Sequence, residues 1–428
     1  MNVCVIGAGY VGLTTAAVLS DIGHHVTCID QDIKKIASLQ NGYIPIFEPD
    51  LEDCVQKNKS RLRFTDDLPS CINHAEIIIM AVGTPSLPDG STNLSFLYKA
   101  MIDVMEHLAS YKIIMIKSTV PPGTNAAILQ LLKDKGYQRD LFDLVSNPEF
   151  LREGSALHDM KFPDRIVYGL AKENEDLLGQ MKELYRGIDA PVIVTNYAGA
   201  ELIKYASNAF LAAKISFINE IARFCEQFGA DVTHVAKGIG LDARIGPSFL
   251  QAGIGYGGSC FPKDLKSLSF TAKDNGLQPL ILDAVQSVNA SQMNIYFEKI
   301  RAMFQDLSSM KIAVLGIAFK PNTDDIRESP AVAFIKKLHE YGCTVSAYDP
   351  KASLPEELRM IVQTETPEDA MLDADLTVVA TDWKQFIGLD WKQARIKMKG
   401  RSVLDARNCL DPDIIRAADL NYIGVGRI

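Results

Sequence analysis

The chain has 428 residues, 47% hydrophobic and 23% charged, a balance ordinary for soluble globular proteins and a length that suggests two or three domains rather than one core. A net charge of -9 argues against non-specific nucleic-acid binding, and no apolar run approaches the ~18 residues of a membrane span. Met1 leads straight into a strand-like VCVIG, so a cytoplasmic location is expected, and eight scattered cysteines without a CxxC pair or Cys/His cluster suggest neither a disulfide framework nor a metal site.

Residues 2 to 6 form an apolar strand run followed by GAGYVG, with Gly7, Gly9 and Gly12 ahead of a helix-like segment. Those glycines suit a tight turn, the approach of a pyrophosphate, and helix–strand packing. The next strand, HHVTCID, ends at Asp30, whose carboxylate suits an adenosine ribose and repels a 2′-phosphate, so NAD rather than NADP is expected. Strand runs at 75–86 and 112–124 carry Thr84, Ser118 and Thr119 at their ends, where ligands of open α/β sheets lie; taken alone these are ordinary turn residues. LVSNPEFLREG reads as a strand running into a loop, with Glu149 a cap or salt-bridge partner on its own evidence, and strands at 164–169 and 191–195 close this part.

From about Ala198 to Phe228 runs the longest helical pattern, expected to link two domains and, being apolar on several sides, to meet a second subunit. Lys204 and Asn208 share one face of it. The stretch GIGYGGSCFPKD follows, setting Cys260 after Gly253, Gly255, Gly257 and Gly258 and before Lys263 and Asp264. A cysteine at random is most often a buried structural residue, but glycines that admit a ligand and a lysine that favours the thiolate form the setting of a nucleophile. Two amphipathic helices are expected beyond Asp264, and at Lys311 a second strand–turn pattern begins, its glycine fingerprint reduced to Gly316. The fold class is α/β: two Rossmann-like doubly wound domains, 1–196 and 301–428, joined by a helical middle domain, 197–300.

Through GAGYVG, KSTVPPGT, NPEFLREG, ELIKYASNAFLAAKISFINE and above all GGSCFPKD, the chain resembles the nucleotide-sugar 6-dehydrogenases along nearly its whole length. The phenylalanine after Cys260 looks most like the branch that oxidises UDP-glucose; GDP-mannose and UDP-N-acetylhexosamines are the competing substrates. The resemblance implies four-electron oxidation of a C6 alcohol through a Cys260 thiohemiacetal and thioester. It implies catalytic roles for Lys204, Asn208, Asp264, Glu149 and Thr119. NAD contacts are implied at Gly7, Gly9, Tyr10, Val11, Gly12, Asp30, Lys35, Thr84, Thr119, Glu153, Lys263 and Arg327. The sugar nucleotide is assigned to Glu149, Phe150, Leu151, Glu153, Lys204 and Asn208, and to Arg244, Phe249, Leu250, Gly253, Tyr256 and Gly257. The second Rossmann-like half adds Phe319, Lys320 and Arg407 for UDP. A homodimer through the long helix is implied too, with Arg244 reaching substrate across it. A single-step hydroxyacid dehydrogenase would need neither the cysteine nor a second α/β half, and a non-catalytic NAD sensor would need none of Cys260, Lys204 and Asp264.

Overall fold

The computed structural model describes residues 1–427. Contacts divide the chain into two units, Met1–Ser207 with Lys266–Asn275, and Asn208–Leu265 with Gly276 to the end of the described chain.

The first unit is built on eight strands: β1 (Asn2–Ile6), β2 (His25–Ile29), β3 (Leu62–Thr65), β4 (Ile77–Met80), β5 (Lys112–Ile116), β6 (Phe142–Ser146), β7 (Ile166–Gly169) and β8 (Val192–Thr195). Their order is β3-β2-β1-β4-β5-β6-β7-β8. The first six run parallel, β7 meets β6 antiparallel at Ser146 and Gly169, and β8 follows β7 in parallel. Beyond Asn2 and Lys112 at their starts, NVCVI, IIIM and KIIMI are apolar because a parallel sheet is covered on both faces. Alternation then splits the core: Val3, Val5, Ile77 and Ile79 pack in one layer, Cys4, Ile6, Ile78 and Met80 in the other.

The second unit repeats the plan with β9 (Lys311–Leu315), β10 (Thr344–Tyr348), β11 (Val362–Gln363), β12 (Leu376–Val379), β13 (Ser402–Asp405) and β14 (Asn421–Gly424), in the order β11-β10-β9-β12-β13-β14. Counted from its own first strand, this is the 3-2-1-4-5-6 order of the first unit's β1 to β6. Ile312 and Val314 face one apolar layer, Ala313 and Leu315 the other.

The long helix spans Tyr197–Phe228, 32 residues, and the division between units falls within it after Ser207. The cysteine helix spans Phe261–Asp274. It begins before Asp264, earlier than the sequence pattern suggested. Pro262 lies in its first turn, where a missing N–H costs nothing, and the Asp264 N–H donates to the Cys260 carbonyl at 2.9 Å. Cys260 therefore stands at the head of a helix.

Candidate active site

In the first unit the named residues lie beyond the carboxyl ends of β1, β2, β4, β5 and β6. Gly7 holds φ +106° and donates its N–H to the Ile29 carbonyl at 2.7 Å, turning the chain from β1 into helix Tyr10–Ile22. A Cβ on Gly12 would land on the Gly7 carbonyl oxygen, whereas one on Gly9 would meet open space. The tight turn, the close packing and the open approach are thus divided among three glycines. Asp30 accepts the Ala8 and Asp32 N–H groups, each at 2.9 Å, and the Lys35 ammonium at 2.9 Å. Burial pushes this carboxyl up, but those donors outweigh it and hold it below the usual range.

Thr84 donates to the Thr119 carbonyl at 2.8 Å and Ser118 to the Val82 carbonyl at 2.7 Å, which pins the two strand-end loops together. The Lys204 ammonium lies 3.0 Å from Glu149 Oε1, both side chains almost wholly buried. Two cations approach the Phe150 ring, with the Arg165 guanidinium carbon 3.6 Å and Lys204 Nζ 5.5 Å from its centre. The Leu151 N–H closes the turn onto Glu149 Oε2. After the half-buried Glu153, the Gly154 N–H donates to both the Tyr10 hydroxyl, at 2.7 Å, and Glu48, at 2.6 Å. Tyr10, inside the glycine motif, therefore touches the loop that the sequence assigned to the substrate.

Two anchoring residues escaped the sequence reading. Glu201, one turn before Lys204, accepts the N–H groups of Gly123 and Asn125 at 2.6 and 2.8 Å and so caps helix Thr124–Asp134 beyond Thr119. Burial raises its carboxyl, and the backbone and side-chain donors of Asn125 work against that rise. Lys117 is the other. The spacing Glu201–Lys204 was a legible signal for the first; nothing in the sequence marked the second.

In the second unit Cys260 is half-buried beside the Ser259 hydroxyl, 3.6 Å from its sulfur. Asp264, buried in the first turn of that helix, accepts from Asn208 Nδ2 and Lys263 Nζ, both at 2.6 Å. The preceding loop is held by side-chain amides: Asn219 accepts the Gly253 N–H at 2.8 Å and Asn289 the Tyr256 N–H at 2.8 Å. A Cβ on Gly257 would strike the Glu328 carbonyl, and one on Gly258 would press on the Phe319 ring at 2.7 Å. Phe249 holds φ +65°, a strained backbone for a bulky residue, with its ring 6.2 Å from that of Phe261. Leu250 is buried in the core below.

At the carboxyl edge of the second sheet, Gly316 copies Gly7, with φ +107° and its N–H on the Tyr348 carbonyl at 2.7 Å. Asp349 copies Asp30 in position but not in availability. It accepts Ile317, Ala318, Lys351 and Ala352 N–H groups at 2.8 to 3.0 Å. Arg407 donates to the carbonyls of Ala380, Gly255 and Phe319 at 2.8, 3.0 and 2.8 Å. Lys320 lies 5.6 Å from the Phe319 ring centre. Arg327 and Arg244 are exposed and fold back on Asp325 and Asp242, each at 2.7 Å.

The chain matches three family models in succession, all of the UDP-glucose/GDP-mannose dehydrogenase family: the NAD binding domain over 1–189, the central domain over 198–291 and the UDP binding domain over 313–412. The chain belongs to that family. The UDP-glucose 6-dehydrogenase TuaD of Bacillus subtilis is 44% identical over 100% of this chain and 93% of its own length. The UDP-glucose 6-dehydrogenase of Rhizobium meliloti is 42% identical over 100% of both chains. Among solved structures, a UDP-glucose dehydrogenase from Pyrobaculum islandicum matches at TM-score 0.90 and 35% identity, covering 100% of this chain and 98% of that one. A UDP-D-ManNAc dehydrogenase from Pyrococcus horikoshii matches at TM-score 0.88 and 26% identity, covering 100% and 99%.

Family membership makes the chain an NAD-dependent oxidoreductase, and the first unit fits the cofactor: Gly9 opens onto free space, and Asp30 stands at the end of β2. The two Rossmann-like halves of the family correspond to the two sheets described above, each carrying the parallel 3-2-1-4-5-6 order. No helix among the described residues is long and apolar enough to cross a membrane.

Proposed function

We propose that this member of the family oxidises the C6 alcohol of UDP-glucose to the carboxylate of UDP-glucuronate, with Cys260 as the nucleophile between two oxidations. NAD, when bound, accepts the hydride of each. The observation that carries the reading is the place of Cys260 at the head of the cysteine helix, where the helix field favours an anion, with Lys263 in the same turn.

The first oxidation leaves an aldehyde, whose carbon holds no oxyanion able to expel a second hydride. Addition of the Cys260 thiolate to that carbon forms a thiohemiacetal. Loss of its hydride, with its hydroxyl proton passing to a base, leaves a thioester. Water then adds, the C–S bond breaks, and the thiolate is restored as the carboxylate departs. In this scheme Lys204 and Asn208 stabilise the oxyanion, Asp264 and Thr119 hold the water, and Glu149 is the general base of hydrolysis. The second sheet takes UDP through Phe319, Lys320 and Arg407, in keeping with the family model matched there. The assignment of 1–196, 197–300 and 301–428 to cofactor, central and nucleotide domains belongs to the same proposal.

A second copy is proposed to cover the long helix. Phe210, Phe217 and Phe224 recur every seven residues, hence on one face, and are 68%, 53% and 53% exposed. Arg244, almost fully exposed in one chain, would then reach the partner's substrate.

The test is the number of NADH formed per sugar nucleotide by the purified protein, with UDP-glucose, GDP-mannose and UDP-N-acetylglucosamine in parallel. Two NADH with UDP-glucose alone are expected. One NADH would remove the thioester, and a response to another sugar nucleotide alone would move the substrate.

A further inference from the structure

Lys117 follows β5 directly and is only 3% exposed, yet among the described residues its ammonium makes no ion pair with a carboxylate like that of Lys204 with Glu149. It donates instead to two neutral groups, Asn147 Oδ1 at 3.1 Å and the Tyr185 hydroxyl at 3.3 Å. Tyr185 in turn donates to Asn147 Oδ1 at 2.6 Å, and Asn147 Nδ2 donates to the Val167 carbonyl at 2.9 Å. The cluster thus fixes Asn147, and Pro148 alone separates Asn147 from Glu149. Asn147 Oδ1 would keep the Tyr185 hydroxyl as donor without any lysine. An apolar residue at position 117 would satisfy the same core, so packing does not explain a buried cation there.

We propose that Lys117 is a positioning residue for Glu149: its buried ammonium holds the Asn147–Pro148–Glu149 turn and supplies, besides Lys204, a second positive charge acting on the Glu149 carboxylate. This rests on the proposed role of Glu149 in the chemistry. The charged groups that face Lys117 are Glu149, which favours its protonation, and Lys204, which opposes it; burial is the largest influence and brings the ammonium down to about 8. Tyr185, whose ring centre lies 5.8 Å from the ammonium, is itself pushed up by burial and stays neutral in this range. A lysine whose folded value lies below its unfolded one costs stability at every pH beneath it. The cost fades as pH rises from about 8 toward the ~10.4 of free lysine. A charge kept at such a cost is better explained by function than by folding.

The test is Lys117→Met in the full chain, followed by thermal melting from pH 6 to 10 and by steady-state kinetics with UDP-glucose and NAD. Expected at pH 7 are a melting temperature equal to or above wild type, KM values within about twofold, and kcat down by about tenfold or more. The melting gap should close, and the kcat deficit narrow, above pH 8. A variant that melts lower or fails to fold makes Lys117 structural and overturns the proposal, as does an unchanged kcat. Tyr185→Phe, which keeps the ammonium, should hold kcat within about threefold; a loss equal to that of Lys117→Met would assign the effect to the hydrogen bonds instead. If wild type forms no NADH from any sugar nucleotide, the functional reading fails, while the pH dependence of the melting gap still judges the buried charge.

Discussion

Trp383 donates its indole N–H to Asp349 Oδ2 at 3.2 Å, at the end of β10, the strand of the second sheet that corresponds to β2 of the first. The equivalent Asp30 is only part-buried and meets a lysine. One Rossmann-like sheet therefore presents its strand-end carboxylate, and the other seals it beneath an aromatic ring and five N–H donors.

A single dinucleotide site per chain is therefore the expected outcome. Asp30→Ala is expected to weaken NAD binding about tenfold or to relax discrimination against NADP. Asp349→Ala should leave NAD binding within about twofold but cost about 3 kcal/mol of folding stability, since several buried donors lose their acceptor. Calorimetric NAD titration and urea unfolding of both variants separate the two effects; weaker NAD binding in Asp349→Ala would place a dinucleotide in the second unit.

Cys260→Ser is expected to bind NAD and substrate as wild type does and to stop after the first oxidation, because a serine hydroxyl is a far weaker nucleophile than a thiolate at neutral pH. Rapid-quench counting of NADH should give at most one per substrate, with kcat for acid formation down by about 10³-fold or more. Full turnover would remove the covalent route.

Much of the fold could be read because its signals are local. The run from Asn2 through GAGYVG to Asp30 carries its own period, punctuation and acid, and the 32 residues of the long helix contain no proline. The site was legible only as a set of types. Asn208 and Asp264 are 56 positions apart, and Trp383 and Asp349 are 34 apart, so their pairing depends on which helices and strand ends the topology brings together. The start of the cysteine helix at Phe261 was hidden for another reason: Pro262 reads as a breaker unless it is recognised as a first-turn residue. Lys117 left no trace, because a lysine after a strand is usually solvated and its burial beside Asn147 and Tyr185 depends on contacts 30 and 68 positions away.

The apolar face of the long helix gives a prediction independent of chemistry. Phe217→Glu should convert a dimer to a monomer in light scattering, since a charge at the centre of a seven-residue repeat cannot be buried against its own copy without large cost. A wild-type monomer would overturn the proposed dimer.

Arg407 separates two views of a binding residue. Its similarity to the family assigns it to the nucleotide, while its guanidinium already spans the carbonyls of Ala380, Gly255 and Phe319, tying the cysteine loop to the ends of β12 and β9. Here Nε, Nη1 and Nη2 each serve a different carbonyl, and a lysine, with all its donors on one nitrogen, lacks that planar fork. Arg407→Lys is therefore expected to lose about 2 kcal/mol of stability with no ligand present, as buried carbonyls go unpaired, and to slow alkylation of Cys260 or make it heterogeneous as the loop loosens. NAD affinity, set in the first unit, should stay within about twofold. Urea unfolding and timed iodoacetamide labelling of the unliganded protein are the measurements. A variant with wild-type stability and labelling, but a raised KM for the sugar nucleotide, would instead make Arg407 a ligand contact alone.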